Sequence, residues 1–565
     1  MTFFDQLVLF PVILPLLGAG LCLALGQSAV AQRTISIVVL LAVVATSVVL
    51  LYRADTYGPQ VLNVGGWPAE IGISLVADRL SALLLITSTF VTLCVLLYSV
   101  GQGIVEFGRE TPLSVFFPTF LVLSAGVSCA FLAGDLFNLF VGFEVLLAAS
   151  FVLITLGGTH ARVRSGTIYI IVALASSALF LLALASVYAA TGTVNLAQLA
   201  QRMPQLPTET ATVLQLLLLV TFGVKAAVFP LSAWLPDSYP TAPAPVTAVF
   251  AGLLTKVGIY AMIRTNSLVF PAHEIRSLLL WASILTMIIG IMGAIAQSDI
   301  KRILSFTLVS HIGYMLFGIA LNSQLGFSGA IFYTIHHITV QTTLFLIAGL
   351  IEYRAGTTNL DRVGGLARRT PILAVLFFVP AMNLAGIPPF SGFIGKLALL
   401  EGGVAAGDWL ALLGVAAGVV TSLLTLYAMA KVWSRAFWQP FGEYESDDIS
   451  DDETQLVVGG SLHGASGVST STKKESNWDQ LAEEQRLPMR MALPTLLLAS
   501  ATVALTVFAG PLIALTDRAA AEITDPNRYV HAVLCNPRNW DESEAILPRS
   551  KETVHFCEQF EGVAK

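Results

Sequence analysis

The residues best suited to chemistry in this sequence are two lysines inside long apolar runs. Lys225 and Lys256 each lie near the middle of a run that is long enough to cross a bilayer. A charged side chain at that depth costs about 3 kcal/mol on insertion scales. Ionisable groups inside a membrane therefore belong by default to an ion or proton pathway. The structural alternative, a lysine whose stem carries its charge to the interface, suits lysines near helix ends.

Prolines interrupt two of the apolar runs close to lysines. Pro230 follows Lys225 by five residues and removes a backbone donor, so we expect a helix break there. Pro388 and Pro389 predict a second break, shortly before Lys396. Non-helical backbone at membrane depth is tolerated only where it is packed in protein or lines a wet cavity. Both breaks are therefore candidate functional positions.

Glu144 is a carboxylic acid at membrane depth. It follows Asp135 by nine residues, which places it roughly 14 Å along a helix and near the bilayer centre. An isolated carboxylate there needs a cation or a proton. Lys225 is the partner that we expect. The pair is either a proton-dependent switch or a static ion pair, although static buried pairs are weak stabilisers.

Histidines supply further groups for a proton path, because their charge changes near neutral pH. His311 lies in one apolar run, and His336 and His337 lie side by side in the next. Together with Lys256 and Lys396 they are titratable stations between which protons could hop through water. The structural alternative is that these histidines are hydrogen-bonded core residues.

The composition indicates an all-α polytopic membrane protein. The 565 residues are 55% hydrophobic and only 12% charged, and the mean hydropathy is +0.78. Nothing in the charge pattern suggests nucleic acid. The five cysteines have no metal-type spacing, and there is no nucleotide-binding glycine motif. We therefore expect that the protein binds no metal or cofactor and that it is not an enzyme with chemistry of its own.

Apolar runs of spanning length predict about 14 transmembrane helices. Basic residues concentrate in alternate loops, which predicts that the N-terminus and the C-terminus both lie outside. The first run has no basic residue before it and is expected to be a retained helix. The predicted helices cover residues 6–26, 34–52, 78–100, 113–133, 136–156, 167–190, 212–235, 244–264, 277–297, 302–321, 328–351, 371–399, 409–437 and 488–515.

Short motifs recur in the same order about 160 to 170 residues apart, as expected of an internal repeat. One example is PLSAWL from Pro230, which is echoed by PFSGFI from Pro389. Five helices separate the copies, so the repeats are expected to be inverted, each with a broken helix. The predicted organisation is 1–110 for helices one to three, 111–270 for the first five-helix repeat, 271–439 for the second, 440–487 for an acidic Gly/Ser-rich cytoplasmic linker, 488–516 for helix fourteen and 517–565 for an extracytoplasmic tail.

The predicted tail contains two of the five cysteines. Cys535 and Cys557 would face an oxidising space, where a disulfide can persist. We therefore predict a bridge between them.

Two motifs carry a resemblance to a known family. They are WLPDSYPTAPAPV from Trp234 to Val246 and DIKRILSFTLVSHIG from Asp299 to Gly313. With the glutamate and the three lysines above, they resemble the antiporter-like subunits shared by respiratory complex I and Mrp-type multisubunit cation/proton antiporters, over about residues 75–440. Lys396, where one complex I subunit has glutamate, is similar to the D-type member of the Mrp antiporter subunits.

The resemblance implies a proton path. By motif, the path runs from Glu144 and Lys225 through Lys256 and His337 to Lys396. Many relatives have a lysine where Gln341 stands here. Because an amide does not titrate, we expect this side of the path to depend more on His336, His337 and water.

The resemblance also implies a function and partners. We expect a proton-translocating subunit of a multisubunit antiporter that exchanges Na+ or another monovalent cation for protons, in the plasma membrane of a prokaryote. Its partners would be other membrane subunits of the complex. One alternative is a proton-pumping subunit of a complex I-like oxidoreductase. Another is a structural membrane scaffold, in which the buried charges could be replaced without loss.

Overall fold

The structure is a computed structural model that describes residues 6–26, 28–102, 105–106, 109–110, 113–271, 275–440, 487–535, 553–554 and 557. This part is mostly helical, and 13 of its helices are long and apolar enough to cross a membrane. A further span is made of two shorter helices, α12a and α12b. In order, the spans are α1 (Leu7–Ala24), α2 (Ala29–Tyr57), α3 (Arg79–Gln102), α4 (Leu113–Leu132), α5 (Leu136–Thr155), α6 (His160–Thr191), α7 (Thr208–Ala226), α8 (Ala244–Val269), α9 (Arg276–Ala296), α10 (Ile300–Ala320), α11 (Gln324–Ala355), α12a (Pro371–Ala385), α12b (Ser391–Ala406), α13 (Trp409–Trp438) and α14 (Met489–Val507).

The predicted all-α membrane fold is confirmed, but the last predicted helix is wrong as a single element. α14 ends at Val507, and a separate helix, α15 (Ala509–Ile523), begins after Phe508. Pro511 lies near the start of α15 and has no N–H to continue the helix from α14. Part of the predicted tail is also helical, since α16 (Pro526–Leu534) follows α15.

The centre of the bundle consists of α8, α10 and α11. The most apolar segments of α8 and α11 are completely buried, whereas fewer than half of the residues in those of α1, α2 and α14 are buried. Side chains on α8 and α11 therefore contact other helices on every side. The candidate residues Lys256, His336 and His337 are therefore surrounded by other parts of the protein.

Two spans are interrupted at the predicted prolines. α7 ends at Ala226, and a short helix, Trp234–Ser238, continues the span after a break that contains Pro230. Pro388 and Pro389 lie between α12a and α12b. The Phe229–Pro230 and Pro388–Pro389 peptide bonds are cis.

Two sets of equivalent contacts support the predicted internal repeat. Asp135 caps the start of α5 and forms a β-bridge with Asn195, which follows α6. Asp299 caps the start of α10 and forms a β-bridge with Asn359, which follows α11. The inverted relationship of the two halves, and the domain boundaries drawn from it, stay predictions.

The connection between α2 and α3 contains a hairpin that the apolar pattern does not predict. Strand β1 (Gln60–Asn63) pairs antiparallel with β2 (Ser74–Ala77). A second short hairpin joins β3 (Val105–Glu106) to β4 (Arg109–Glu110) in the connection between α3 and α4.

The predicted soluble segments differ in what the structure describes. A disulfide joins Cys535 to Cys557, as predicted. Residues 441–486, nearly all of the predicted acidic linker, lie outside the described residues.

Candidate proton-transfer site

Lys225 lies at the C-terminal end of α7, directly before the first break. Its Nζ donates a hydrogen bond to Ser177 Oγ on α6 at 3.2 Å. The same nitrogen lies 4.8 Å from the centre of the Phe143 ring on α5. The helix ends here because Ala227 adopts a left-handed conformation. The ammonium group is thus held by a helix C-terminus, a hydroxyl group and an aromatic face, all of which favour a positive charge.

The predicted direct pair between Lys225 and Glu144 is not formed. Among the described residues, no ion pair joins the two side chains, and the ammonium contacts Phe143 and Ser177 instead. Within the part of the chain that the structure describes, Glu144 Oε1 is buried without a hydrogen-bond partner. The two groups do not pair directly because the Phe143 ring occupies a position beside the ammonium.

A small cavity lies beside Lys225. Its volume is about 30 Å³, and its lining includes Lys225, Phe143, Ser176, Tyr169 and Trp234. This volume is about that of one water molecule. Trp234 is the first residue of the helix after the break, and its Nε1 donates to the carbonyl oxygen of Val224 at 3.2 Å. The break in α7 thus opens a space next to the lysine.

Lys256 lies on α8 and is completely buried. Its Nζ donates to the carbonyl oxygen of Ala251 at 2.6 Å. Ala251 belongs to a π-helical stretch, Phe250–Leu254, in which the usual hydrogen-bond pattern is locally changed. Thr255 Oγ1, next to Lys256, is buried and has no hydrogen-bond partner within the described ranges. The local distortion of the helix therefore provides the acceptor for the ammonium group.

The three candidate histidines come together at the contact between α10 and α11. Tyr333 OH and His311 Nδ1 are 2.9 Å apart. The ring centres of His311 and His337 are separated by 5.2 Å, and those of Tyr333 and His336 by 5.3 Å. Both ring nitrogens of His337 are buried, and neither has a hydrogen-bond partner in the described part of the chain. Unpaired buried polar atoms are costly unless water or a proton donor reaches them.

Lys396 follows the second break, on α12b. Its Nζ donates to the carbonyl oxygens of Leu384 and Ala385, at 3.1 Å and 2.9 Å, and to Ser422 Oγ at 3.1 Å. The nitrogen also lies 5.2 Å from the ring centre of Tyr314, which belongs to the aromatic group around His311. Lys396 therefore connects the histidine cluster with the end of α12a.

A hydrogen-bonded chain links the histidine cluster to the second break. His336 Nδ1 lies 3.0 Å from Ser391 Oγ, the first residue of α12b. Ser391 Oγ donates to Asn383 Oδ1 at 3.2 Å, and the same oxygen accepts from the backbone N–H of Gly392 at 2.8 Å. Sequence reasoning missed Asn383 and Ser391. The available signal was an amide side chain within an apolar run beside two prolines.

Gln341 is also fully buried. Its Nε2 donates to the carbonyl oxygen of Leu304 at 2.7 Å, while its Oε1 has no partner among the described residues. Because Gln341 follows His337 by four residues, the two side chains share one face of α11. The amide thus presents an unused acceptor on the same face as the unpaired imidazole.

The arrangement is suited to moving protons. Buried titratable groups occur from the break in α7 to the break in α12, with tyrosine, serine and threonine hydroxyl groups between them. The structure brings His311, His336, His337 and Lys396 into one polar cluster. Lys225 and its cavity form a separate group, and Lys256 lies on the central helix α8.

Comparisons with known proteins identify the family to which the chain belongs. Residues 133–425 match the family described as NADH:quinone oxidoreductase/Mrp antiporter, TM. The D-type Na(+)/H(+) antiporter subunit of Bacillus subtilis (strain 168) is 39% identical over 438 residues, which cover 77% of this chain and 87% of the relative. The protein of the same name from Alkalihalophilus pseudofirmus is 36% identical over 534 residues, or 94% of this chain and 99% of the relative.

A solved structure supports the same family assignment. The chain resembles one in the structure of the Mrp complex from Dietzia sp. DQ12-45-1b with a TM-score of 0.82 and 34% identity, over 94% of this chain and 100% of that chain. The chain therefore belongs to the NADH:quinone oxidoreductase/Mrp antiporter family of membrane subunits.

Proposed function

We propose that this chain is the proton-translocating subunit of a multisubunit antiporter that exchanges Na+ or another monovalent cation for protons. The observation that carries the proposal is the set of buried titratable groups between the two helix breaks. Both relatives described above are named as D-type subunits of Na+/H+ antiporters, which supports the exchange of Na+ for protons. The chain uses no cofactor and acts as a transporter subunit.

Lys225 and Glu144 form the switch at the first break. The ammonium group rests on Ser177 and Phe143, and Glu144 next to Phe143 is the alternative partner. A proton on Glu144 removes its attraction for the ammonium, and an ionised Glu144 draws the lysine towards it. The adjacent cavity holds the water that carries a proton to or from the pair.

The second part of the path leads from Lys256 to Lys396. Protons pass from Lys256 through His337 and the neighbouring rings of His311 and Tyr333. Water bound between Gln341 Oε1 and the His337 ring replaces the lysine of relatives, since both groups have unused hydrogen-bonding capacity. Lys396 then exchanges the proton at the second break.

The partners are other membrane subunits of a hetero-oligomeric complex, in the plasma membrane of a prokaryote. The likeness to a chain of the solved Mrp complex supports such an assembly. Both chain ends lie outside, in keeping with the loop charges and with a disulfide that needs an oxidising space. Two inverted five-helix repeats, residues 111–270 and 271–439, carry the two breaks.

The test is cation-driven proton movement in everted vesicles from cells that lack their own antiporters. The native assembly is compared with assemblies that contain Lys225→Ala or the control Lys431→Ala in this chain. Lys431 donates to two backbone carbonyl oxygens at a helix end, those of Ile295 and Gln297. We expect added Na+ to collapse the acid interior with the native and control chains only.

Each other outcome points to a different function. Full exchange by an assembled Lys225→Ala complex contradicts the proposal and favours a structural scaffold. If no assembly responds to cations, the proton-pumping subunit of a complex I-like oxidoreductase becomes the better explanation. The family description includes NADH:quinone oxidoreductases, so redox partners would then be sought.

A further inference from the structure

A second set of charged residues lies away from the candidate path, near the C-terminal helices α15 and α16. At its centre, Arg264 on α8 pairs with Asp78, which precedes α3. Arg264 Nη1 lies 2.6 Å from Asp78 Oδ2, and Nη2 donates to Asp78 Oδ1 at 2.8 Å. Both side chains are almost completely buried. We call the set Asp78, Ser81, Tyr260, Arg264, Glu522 and Tyr529 the Arg264 cluster.

Hydroxyl groups surround the ion pair of the Arg264 cluster. Arg264 Nη2 donates to Ser81 Oγ at 3.1 Å and to Tyr260 OH at 3.4 Å. The two hydroxyl oxygens are themselves 3.1 Å apart. The Tyr529 ring centre lies 5.1 Å from the guanidinium carbon, and its buried hydroxyl group has no partner among the residues that the structure describes. Unused hydrogen-bonding groups that are this deeply buried indicate a place for water or for a transferred proton.

The Arg264 cluster lies on the same helix face as the central lysine. Lys256, Tyr260 and Arg264 are spaced four residues apart on α8, so their side chains form one row. The eight residues from Lys256 to Arg264 correspond to about 12 Å along the helix. A row of polar side chains thus leads from the middle of α8 towards the end of the bundle where α15 and α16 pack.

Glu522 on α15 is the acidic group at the far end of this row. Its Oε2 lies 2.9 Å from Arg79 Nη1, and its side chain is only 3% exposed. Burial and the neighbouring charge of Asp78 raise the pKa of Glu522 to about 7. Burial also acts to raise the pKa of Asp78, but the charge of Arg264 and hydrogen bonds from Ser81 bring it below the ordinary value. Glu522 therefore exchanges a proton near neutral pH while Asp78 stays ionised.

The other helices that pack around α15 contribute few titratable groups to Glu522. Arg79 and Asp78 approach from α3 and its start, and Asp55 of α2 reaches Glu522 only through Arg79, whose Nε lies 2.8 Å from Asp55 Oδ1. Tyr529 of α16 lies against Arg264. Asp517 of α15 itself accepts from Ser328 on α11 at 2.5 Å.

We propose that the Arg264 cluster is a proton-exchange station that connects Lys256 with the aqueous phase at the α15 end of the bundle. Glu522 binds and releases the proton there, and the hydroxyl groups of Ser81 on α3 and Tyr260 on α8 relay it between the two helices. Each hydroxyl oxygen accepts one proton and gives up its own, so no net charge stays behind. Asp78 neutralises Arg264, which removes the barrier that an isolated guanidinium would present. This inference rests on the proposed function.

The competing explanation is that the charges only attach α15 to the neighbouring helices. Asp55 distinguishes the two explanations, because it also binds Arg79 and lies 2.8 Å from Arg518 of α15. Asp55 is 31% exposed, and within the described residues its side chain accepts hydrogen bonds from Arg79 and Arg518 and not from the hydroxyl relay. Attachment alone would make Asp55 at least as important as Glu522.

The test measures Na+-driven proton flux by the whole assembly in membrane vesicles of both orientations, with the pH of each side set independently. Glu522→Gln removes the titrating group and keeps the side-chain shape, and Asp55→Asn is the matched control. For the native chain, we expect the rate to change with the pH at the α15 end around a midpoint of about 7. Glu522→Gln should lose this dependence, whereas Asp55→Asn should keep it.

A native pH profile in Glu522→Gln, or the same change in both variants, would overturn the inference. If Glu522→Gln lowers the amount of complex, Glu522→Asp decides: a restored profile supports the station, and an unrestored one contradicts it. Lys225→Ala in the same vesicles distinguishes a failure of the proposed function from a failure of the proton-exchange station. Full exchange by that variant contradicts the proposed function, whereas lost exchange together with an unchanged Glu522→Gln profile contradicts only the station.

Discussion

Lys396 donates a hydrogen bond to the backbone carbonyl oxygen of Ala385 at 2.9 Å, across the break in α12. Ala385 is the last residue of α12a, so the ammonium group lies at the negative end of that helix. One group therefore stabilises the break and is also the proposed final carrier of the proton. Loss of the proton weakens its attraction for the carbonyl oxygens, and this couples protonation to the geometry of the break.

Lys396→Arg tests whether a positive charge at this position is enough or whether the side chain must also release a proton. Arginine keeps a positive charge and can donate to the carbonyl oxygens, but it does not release its proton in proteins. We expect Lys396→Arg to assemble in normal amounts and to lose cation-driven proton movement in everted vesicles. Assembly is measured by native gel electrophoresis of the solubilised complex.

The matched control for this change is Lys431→Arg. Lys431 also donates to two backbone carbonyl oxygens, those of Ile295 at 2.9 Å and Gln297 at 2.7 Å. It lies outside the proposed path, so exchange should persist. An active Lys396→Arg complex would mean that the proton does not pass through this side chain.

Thr506 on α14 provides an independent test of the break. Its Oγ1 accepts a hydrogen bond from the backbone N–H of Ser391 at 2.9 Å, at the start of α12b. Thr506→Val removes this acceptor at nearly constant shape and should destabilise the protein by about 1–3 kcal/mol. The thermal unfolding midpoint of the purified complex reports the change.

Thr495→Val is the control for the loss of a buried hydroxyl group on the same helix. Among the described residues, Thr495 Oγ1 has one hydrogen bond, to the carbonyl oxygen of Met491 within α14 at 2.9 Å. Its replacement leaves no backbone N–H unpaired and should shift the midpoint less. Equal shifts in the two variants would show that α14 does not hold the break in place.

Much of the fold could be predicted from composition and proline positions. Apolar runs located the spans, since only helices satisfy their backbone groups inside a bilayer. Pro230 and Pro389 located the two breaks because a proline cannot donate in the helical pattern. The break between α14 and α15 was missed because the apolar character continues across Phe508 and obscures the effect of Pro511.

Contacts between distant residues were harder to predict. Lys225 and Glu144 are suitable ionic partners by type and depth, but the Phe143 ring and Ser177 take the ammonium instead. Asn383 and Ser391 give little signal as single polar residues, and their importance follows only from the way the two halves of α12 meet. Tertiary packing decides such choices, which one-dimensional patterns do not record.

The disulfide is expected to form in the native protein and to stabilise its C-terminal part. Cys535 and Cys557 are 22 residues apart, and closing a loop of that size reduces the entropy of the unfolded chain by roughly 3 kcal/mol in free-energy terms. Alkylation under native conditions should leave both thiols unmodified until a reductant is added. Reduction should shift the mobility of the native chain on a gel and leave that of Cys535→Ser unchanged. Two freely alkylated thiols in the native chain would contradict the bridge.

Gly392 is the position where the break has the least space. A Cβ atom built there would overlap the carbonyl oxygen of Asn383 and come within 3.0 Å of His336 Cε1. Gly392→Ala must therefore push α12b away from α12a, which would disturb both the Ser391–His336 contact and the position of Lys396. Overpacking of this kind costs about 1–3 kcal/mol, and we expect a lower unfolding midpoint together with a loss of exchange.

Gly20→Ala is the control for this change. Among the described residues, a Cβ at Gly20, within helix α1, would have no atom within 4 Å, so Gly20→Ala should keep full exchange and a midpoint at least as high as that of the native chain. Native exchange by Gly392→Ala would show that the close contact between the two halves of α12 is not needed for proton transfer.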